Sequence, residues 1–168
     1  MKNGLFIQMT GLSGAGKTTL ATAVEKRLRK DGFKVEIIDG DEYRTGLCSD
    51  LGFSKEDRNT NIRRLGFVGR VLARNGVIAI VAAINPYEEV RREIEGKIVY
   101  VKCGLDTVIR RDTKGLYAKA LTGEIKNFTG ISDPFEEPQY PDIIIETDTE
   151  DRKCSANKLY EFIRESVV

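Results

Sequence analysis

The chain has 168 residues, with 27 Lys and Arg against 26 Asp and Glu, and no His. That length suits one domain with a true core, and the near-neutral balance excludes the strong field that nucleic acid or an acidic membrane would require. Without His, imidazole acid–base chemistry and His-ligated metals are excluded, leaving carboxylates, Lys and Tyr to move protons. Cys48, Cys103 and Cys154 are odd in number and far apart, with neither a zinc pattern nor a disulfide framework, which fits a reducing interior. No signal-peptide pattern and no apolar run of membrane-spanning length is present, so a cytoplasmic domain is expected.

Short β-rich runs alternate with helical stretches, the pattern of an α/β fold with a mostly parallel sheet and helices on both faces, in one domain over 1–168. The first strand, Leu5–Thr10, runs into Gly11-Leu12-Ser13-Gly14-Ala15-Gly16-Lys17-Thr18, a complete phosphate-binding loop. Gly11, Gly14 and Gly16 are expected to take backbone angles closed to other residues, so that successive N–H groups point at one anion. Lys17 adds charge for the outer phosphates and the Thr18 hydroxyl suits magnesium. The following helix, Lys17–Lys30, turns its positive end to the same phosphates and stops near Gly32.

A second strand, Lys34–Asp39, leads into Asp39-Gly40-Asp41, with Arg44 beyond. Two carboxylates at a strand end facing a triphosphate suit magnesium held through water and activation of an acceptor hydroxyl. The plainer alternative is a helix cap at Asp41 with Asp39 as a turn residue. A helix over Lys55–Arg74 is expected to be capped by Ser54, with Asp57 three residues on. It carries Arg58, Arg63, Arg64, Arg70 and Arg74, a solvated face or an anion site. Val77–Ile84 is apolar throughout, as a strand covered on both faces should be, and Asn85-Pro86 follows it. Next come a helix over Tyr87–Glu95, a strand over Lys97–Lys102 ending at a packing Cys103, a strand over Ile143–Glu146 and a helix over Ser155–Val167. Between Thr113 and Pro141 the periodicity breaks down, although Leu116, Tyr117, Phe128 and Phe135 lie there. A lid spanning about 112–140 over the phosphate site is expected.

Ligands of parallel sheets lie beyond the carboxyl ends of the strands, where these segments meet. Taken together they resemble the adenylylsulfate kinases, P-loop kinases that phosphorylate the 3′-hydroxyl of adenosine 5′-phosphosulfate. The resemblance rests on Gly11 to Thr19, Asp39-Gly-Asp41 with Arg44, Asp50-Leu-Gly-Phe-Ser-Lys-Glu-Asp-Arg58 and Asn61-Ile-Arg-Arg64. It extends through Lys114-Gly-Leu-Tyr117, Gly123 to Gly130 and Asp133-Pro-Phe-Glu136. It implies a three-layer fold like that of the P-loop nucleoside triphosphate hydrolases. It also implies that ATP lies on Gly11 to Thr19, with Arg110 and Thr147 flanking its adenine, and that magnesium sits on Thr18 and, through water, Asp39 with Asp41. By the same resemblance, Phe53 and Phe128 sandwich the adenine of the sulfated substrate and Arg44 and Arg58 hold its phosphosulfate. Asn61 and Ile84 contact that substrate, Lys114 bridges toward the transferred phosphoryl, and Leu116 beside it closes the pocket. Asp39 or Asp41 orients the acceptor hydroxyl. A homodimer is implied, with no nucleic-acid or membrane partner.

Three positions depart from the family pattern. Asn85 replaces a Ser proposed elsewhere as a phosphorylated intermediate; an amide forms no phosphoester, which favours direct transfer and leaves Asn85 to hydrogen-bond substrate. Thr60 stands for a usual Glu, and Thr113 for a usual Pro. A shikimate, gluconate or nucleotide kinase would share Gly11–Thr18 and the Asp pair, but not Phe53, Arg58, Asn61 and the Lys114–Gly130 lid together. A non-catalytic nucleotide switch is the rival from another class; the guanine-reading Asn-Lys-x-Asp segment of GTPases does not occur.

Overall fold

The structure, a computed structural model, describes residues 3–167. Its strands are β1 (Leu5–Thr10), β2 (Lys34–Asp39), β3 (Val77–Ala82), β4 (Lys97–Lys102) and β5 (Ile143–Glu146). The helices are α1 (Lys17–Lys30), α2 (Gly40–Tyr43), α3 (Lys55–Arg74), α4 (Glu88–Glu93), α5 (Leu105–Arg111), α6 (Leu116–Leu121) and α7 (Arg152–Ser166). All strand pairs are parallel, in the order β2-β3-β1-β4-β5. The order reverses at β1, so the loops after β1 and β3 open a crevice at the carboxyl edge.

Alternation along the strands divides the core into two layers. Ile7 and Met9 of β1, with Ile78 and Ile80 of β3, join Leu20, Val24 and Leu28 of α1 and Leu159 and Ile163 of α7 on one face. Phe6, Ala79 and Val81 point the other way, onto Ile62 and Leu65 of α3, Val90 of α4 and Ile94 at its end. The buried residues of α1 recur at helical spacing, which is why that sequence forms a helix with one apolar stripe. Its last turn carries Arg27, Arg29 and Lys30 and its first turn no acid, leaving the positive end free for an anion.

Four strands and the helices α1 and α3 match the expected bounds. β3 stops at Ala82, two residues short of the expected Ile84. There the Ile84 carbonyl turns to accept from the Gly11 N–H at 3.1 Å, and Asn85 adopts φ 50. α4 is shorter than Tyr87–Glu95 because Tyr87 is its extended cap and Glu95 has φ 51. α7 starts earlier than Ser155 because the Asp151 carboxylate caps it, accepting from the Cys154 N–H at 2.7 Å. The lid stretch is also more regular than its composition implied. Asp112 accepts from the N–H groups of Tyr117 and Ala118 at 2.9 and 3.1 Å, starting α6, and Tyr117 and Phe128 are buried edge to face at 5.0 Å. Among the described residues no helix is long and apolar enough to cross a membrane.

Candidate active site

The loop after β1 owes its shape to glycines with different duties. Gly14 and Gly16 take φ 79 and 106, a region closed to most side chains. Gly11 does not: it is glycine because a Cβ there would lie 2.4 Å from the Val101 carbonyl of β4. The expectation of one common torsional reason is corrected to two reasons. Ser54, by contrast, caps α3 as read, accepting from the Asp57 N–H at 3.1 Å.

Lys17 is buried, and its Nζ donates to the carbonyls of Gly11 and Leu12 at 2.7 and 2.8 Å, holding the loop in a ring. Burial first, then the Lys114 charge, pulls its ammonium from 10.5 down to about 7, against the opposing pull of Asp41 and Asp39. The Thr18 hydroxyl donates to Asp39 Oδ2 at 2.9 Å, while Asp39 Oδ1 accepts from the N–H groups of Asp41 and Glu42 at 2.9 and 3.2 Å. Asp39, not Asp41, is therefore the helix cap, and Asp41 is left free to face the lid, where Lys114 meets it in an ion pair. Gly40 between them packs close to β3; a Cβ would come within 3.1 Å of Ala83.

These groups face a cavity of about 370 Å³ whose far wall is cationic and aromatic. Phe53 is 53% exposed, so it is no core residue; the guanidinium groups of Arg44 and Arg58 lie 4.4 and 5.4 Å from its ring centre. Both arginines are fixed by carbonyls. Arg44 Nη1 donates to Gly52 at 2.8 Å, and Arg58 donates through Nε to Phe53 at 3.0 Å and through Nη2 to Asn127 of the lid at 2.5 Å. Asn61, Ile84 and Asn85 also line the cavity, and the Oδ1 atoms of Asn61 and Asn85 are buried without a partner among the described residues. Orphaned acceptors of this kind are costly and call for a donor. The lid is pinned to the phosphate loop by Tyr117, whose phenol donates to the Ser13 carbonyl at 2.7 Å. Burial pushes that phenol upward, so it remains a donor.

The structure brings Ser13 to Thr19, Asp39, Asp41, Arg44, Phe53, Arg58, Asn61, Ile84, Asn85, Lys114 and Thr147 around one cavity. Gly11 and Leu12 lie beneath it as acceptors for Lys17. Leu116 packs on the α1-side core and Phe128 on Tyr117, both off the cavity lining. Arg110 is exposed and donates to Thr107 at 3.3 Å, away from the cavity. Its neighbour Arg111 lines the cavity instead, donating to the Thr147 carbonyl at 3.0 Å, and Thr147 Oγ1 reaches Ala15 O at 2.6 Å. Successive helical residues point about 100° apart, so the phase of α5 decides between the two arginines, and so short a helix shows no periodicity from which to read it. Glu150, just before α7, and Arg152 and Ser155 in its first turn also line the cavity; the missed signal was the Asp151 cap, which moves the helix start from Ser155 back to Arg152.

A phosphate loop at the switch point, a carboxylate pair across from it, and a lid bearing a lysine define a P-loop phosphotransferase for a small acceptor. The adenylylsulphate kinase family matches residues 3–146, and the chain belongs to that family. A probable adenylyl-sulfate kinase from Synechocystis sp. is 52% identical over 165 residues, covering 95% of this chain and 93% of its own. Adenylyl-sulfate kinase from Chloroflexus aurantiacus is 55% identical over 152 residues, 88% and 82% of the two chains. The Mycobacterium tuberculosis APS kinase CysC, solved in complex with AMPPNP and APS, superposes with TM-score 0.93 at 38% identity over 98% of this chain and 99% of that one.

Proposed function

We propose that this enzyme transfers the γ-phosphoryl of ATP to the 3′-hydroxyl of adenosine 5′-phosphosulfate, giving 3′-phosphoadenosine 5′-phosphosulfate and ADP in sulfate activation. The observation that carries the reading is the exposed Phe53 ring flanked by Arg44 and Arg58, across one cavity from the Lys17 loop. It pairs an aromatic platform for a base with two fixed cations for a phosphosulfate, opposite a triphosphate cradle.

In the reaction the O3′–P bond forms as the bond from Pγ to the β,γ-bridging oxygen breaks, and ADP leaves with that electron pair. The acceptor proton passes to a carboxylate. Asp39 is committed, one oxygen to two backbone N–H groups and the other to Thr18, so Asp41 is the group that orients the hydroxyl. Lys114, now paired with Asp41, transfers its charge to the phosphoryl oxygens when ATP arrives, and Lys17 neutralises the outer phosphates. Arg111 and Thr147 flank the ATP adenine, and Asn61, Ile84 and Asn85 border the acceptor. Asn85 accepts no phosphoryl group, so transfer is direct and in line.

The Thr18 hydroxyl and the Asp39 carboxylate meet at 2.9 Å beside the loop, a pair of hard oxygen donors that fits magnesium completed by phosphates and water. Bound there, the ion would neutralise charge on the β- and γ-phosphates. A cytoplasmic location and a homodimer complete the reading; light scattering of the purified protein at twice the 18.8 kDa chain mass supports the dimer, and a single-chain mass rejects it. Phosphorus NMR of the nucleotide product tests the chemistry: a new phosphomonoester coupled to the ribose 3′ proton is expected, and a 2′-phosphate or free phosphate overturns it.

A further inference from the structure

Arg91 of α4 lies outside the cavity lining, yet its side chain is wholly buried and every donor it owns has an acceptor. Nε and Nη2 both reach Glu88 Oε2, at 3.0 and 2.8 Å. Nη1 reaches the Asn85 carbonyl at 2.7 Å and Thr10 Oγ1 at 3.3 Å, and Nη2 also reaches the Glu136 carbonyl at 2.5 Å. One guanidinium thereby joins the last residue of β1, the cavity loop after β3 and the carboxyl end of the lid. A buried, fully forked arginine of this kind fixes geometry because it is planar and permanently charged.

The two halves of the cavity depend on it unequally. The phosphate loop has its own fastenings, from Lys17 to Gly11 and Leu12, from Tyr117 to Ser13 and from Thr147 to Ala15. Asn85 has few others. Its Nδ2 donates to Gln8 Oε1 at 3.0 Å, and Gln8 Nε2 in turn donates to the Arg91 carbonyl at 2.8 Å, so its side chain also leads back to Arg91. Its carbonyl is held by Thr10 Oγ1 at 2.8 Å and by Arg91. The lid end is also tied to the same loop by the bond from Glu136 N–H to the Pro86 carbonyl at 2.9 Å.

We propose that Arg91 is a positioning residue for the acceptor half of the site, holding the Asn85 loop and the lid base in the register that receives the acceptor nucleotide, without touching substrate. The inference rests on the kinase reading, and wild-type turnover with the phosphosulfate is the control that separates the two: no turnover there rejects the reading itself.

The test is steady-state kinetics of Arg91→Lys, which keeps the charge but loses the fork, with the affinity of an ATP analogue measured by calorimetry and the melting temperature by scanning. The acceptor KM is expected to rise about tenfold or more, the scale of one lost charge-assisted hydrogen bond, with analogue affinity within about twofold. Arg91→Met should be worse in the same direction. Equal losses for both ligands, or an unchanged acceptor KM in a folded R91K protein, overturn the proposal. If neither variant folds, Glu88→Gln removes the charge that holds Nε and Nη2 of Arg91 without touching the Asn85 loop, and the same split is read from it: a rise confined to the acceptor KM supports the role, and no rise or a shared one rejects it.

Discussion

Phe53→Ala separates the two nucleotide sites most cleanly. The ring is 53% exposed and belongs to neither core layer, so its truncation should cost the fold little, within about 0.5 kcal/mol as for other surface changes. What it removes is a platform. Base–aromatic stacking is worth about 1–3 kcal/mol per base, which converts to a loss of roughly 5- to 150-fold in acceptor affinity. Arg44 and Arg58 keep their carbonyl partners in the variant, since their bonds run to backbone oxygens of Leu51, Gly52, Phe53 and Asn127. Part of the cation–π attraction to the ring, about 0.5–1 kcal/mol at an exposed site, is lost with it. Calorimetric titration of the phosphosulfate and, separately, of an ATP analogue gives the comparison. A loss confined to the sulfated nucleotide is expected. Equal weakening of both ligands, or a large fall in melting temperature with acceptor affinity unchanged, refutes the assignment of Phe53 to the acceptor site.

Three further outcomes follow from the same geometry. Lys17→Ala should lower kcat by about 10²-fold or more, the scale of losing one transition-state donor; near-normal turnover rejects the loop assignment. The Lys17 ammonium is depressed to about 7 in the free protein, so at pH 8 it is mostly neutral, and a bound triphosphate restores its charge. Binding of an ATP analogue at pH 8 should therefore take up a large part of one proton per site through Lys17, and this uptake should shrink as pH falls toward 6, where Lys17 is already mostly charged. Calorimetry in buffers of different ionisation enthalpy reads this, and proton release at pH 8 contradicts it. Tyr117→Phe removes the donor to the Ser13 carbonyl and should lower kcat/KM by about 3- to 10-fold through a looser lid, as loss of one hydrogen bond of about 1 kcal/mol implies; unchanged kcat/KM would show that the bond does not hold the lid.

Most of the architecture was legible because its signals are local. The unbroken apolar run of β3, the phosphate-loop motif between β1 and α1 and the Ser54 cap each follow from residues close in sequence. What escaped lies where a long-range contact overrides the local pattern, or where a short helix carries too few residues to show one. β3 ends early because the Ile84 carbonyl is claimed by Gly11 across the sheet. α6 arises in a stretch rich in Gly and charge because Asp112 reaches forward to two N–H groups. The choice of Arg111 over Arg110 depends on the rotation of a seven-residue helix, and the role of Gly11 on a β4 carbonyl ninety residues away. Arg91 carried no motif at all; only its burial and five hydrogen-bond contacts reveal it.

The central claim is that turnover needs this one acceptor. ADP release from ATP and magnesium is to be measured with adenosine 5′-phosphosulfate, with shikimate, gluconate and CMP as decoys, and with no acceptor. Release with the phosphosulfate alone, matched by 3′-phosphorylated product, is the expected result and shows that Asn85 suffices at its position. Release with a decoy, or tight ATP binding with no turnover on the phosphosulfate, contradicts the account.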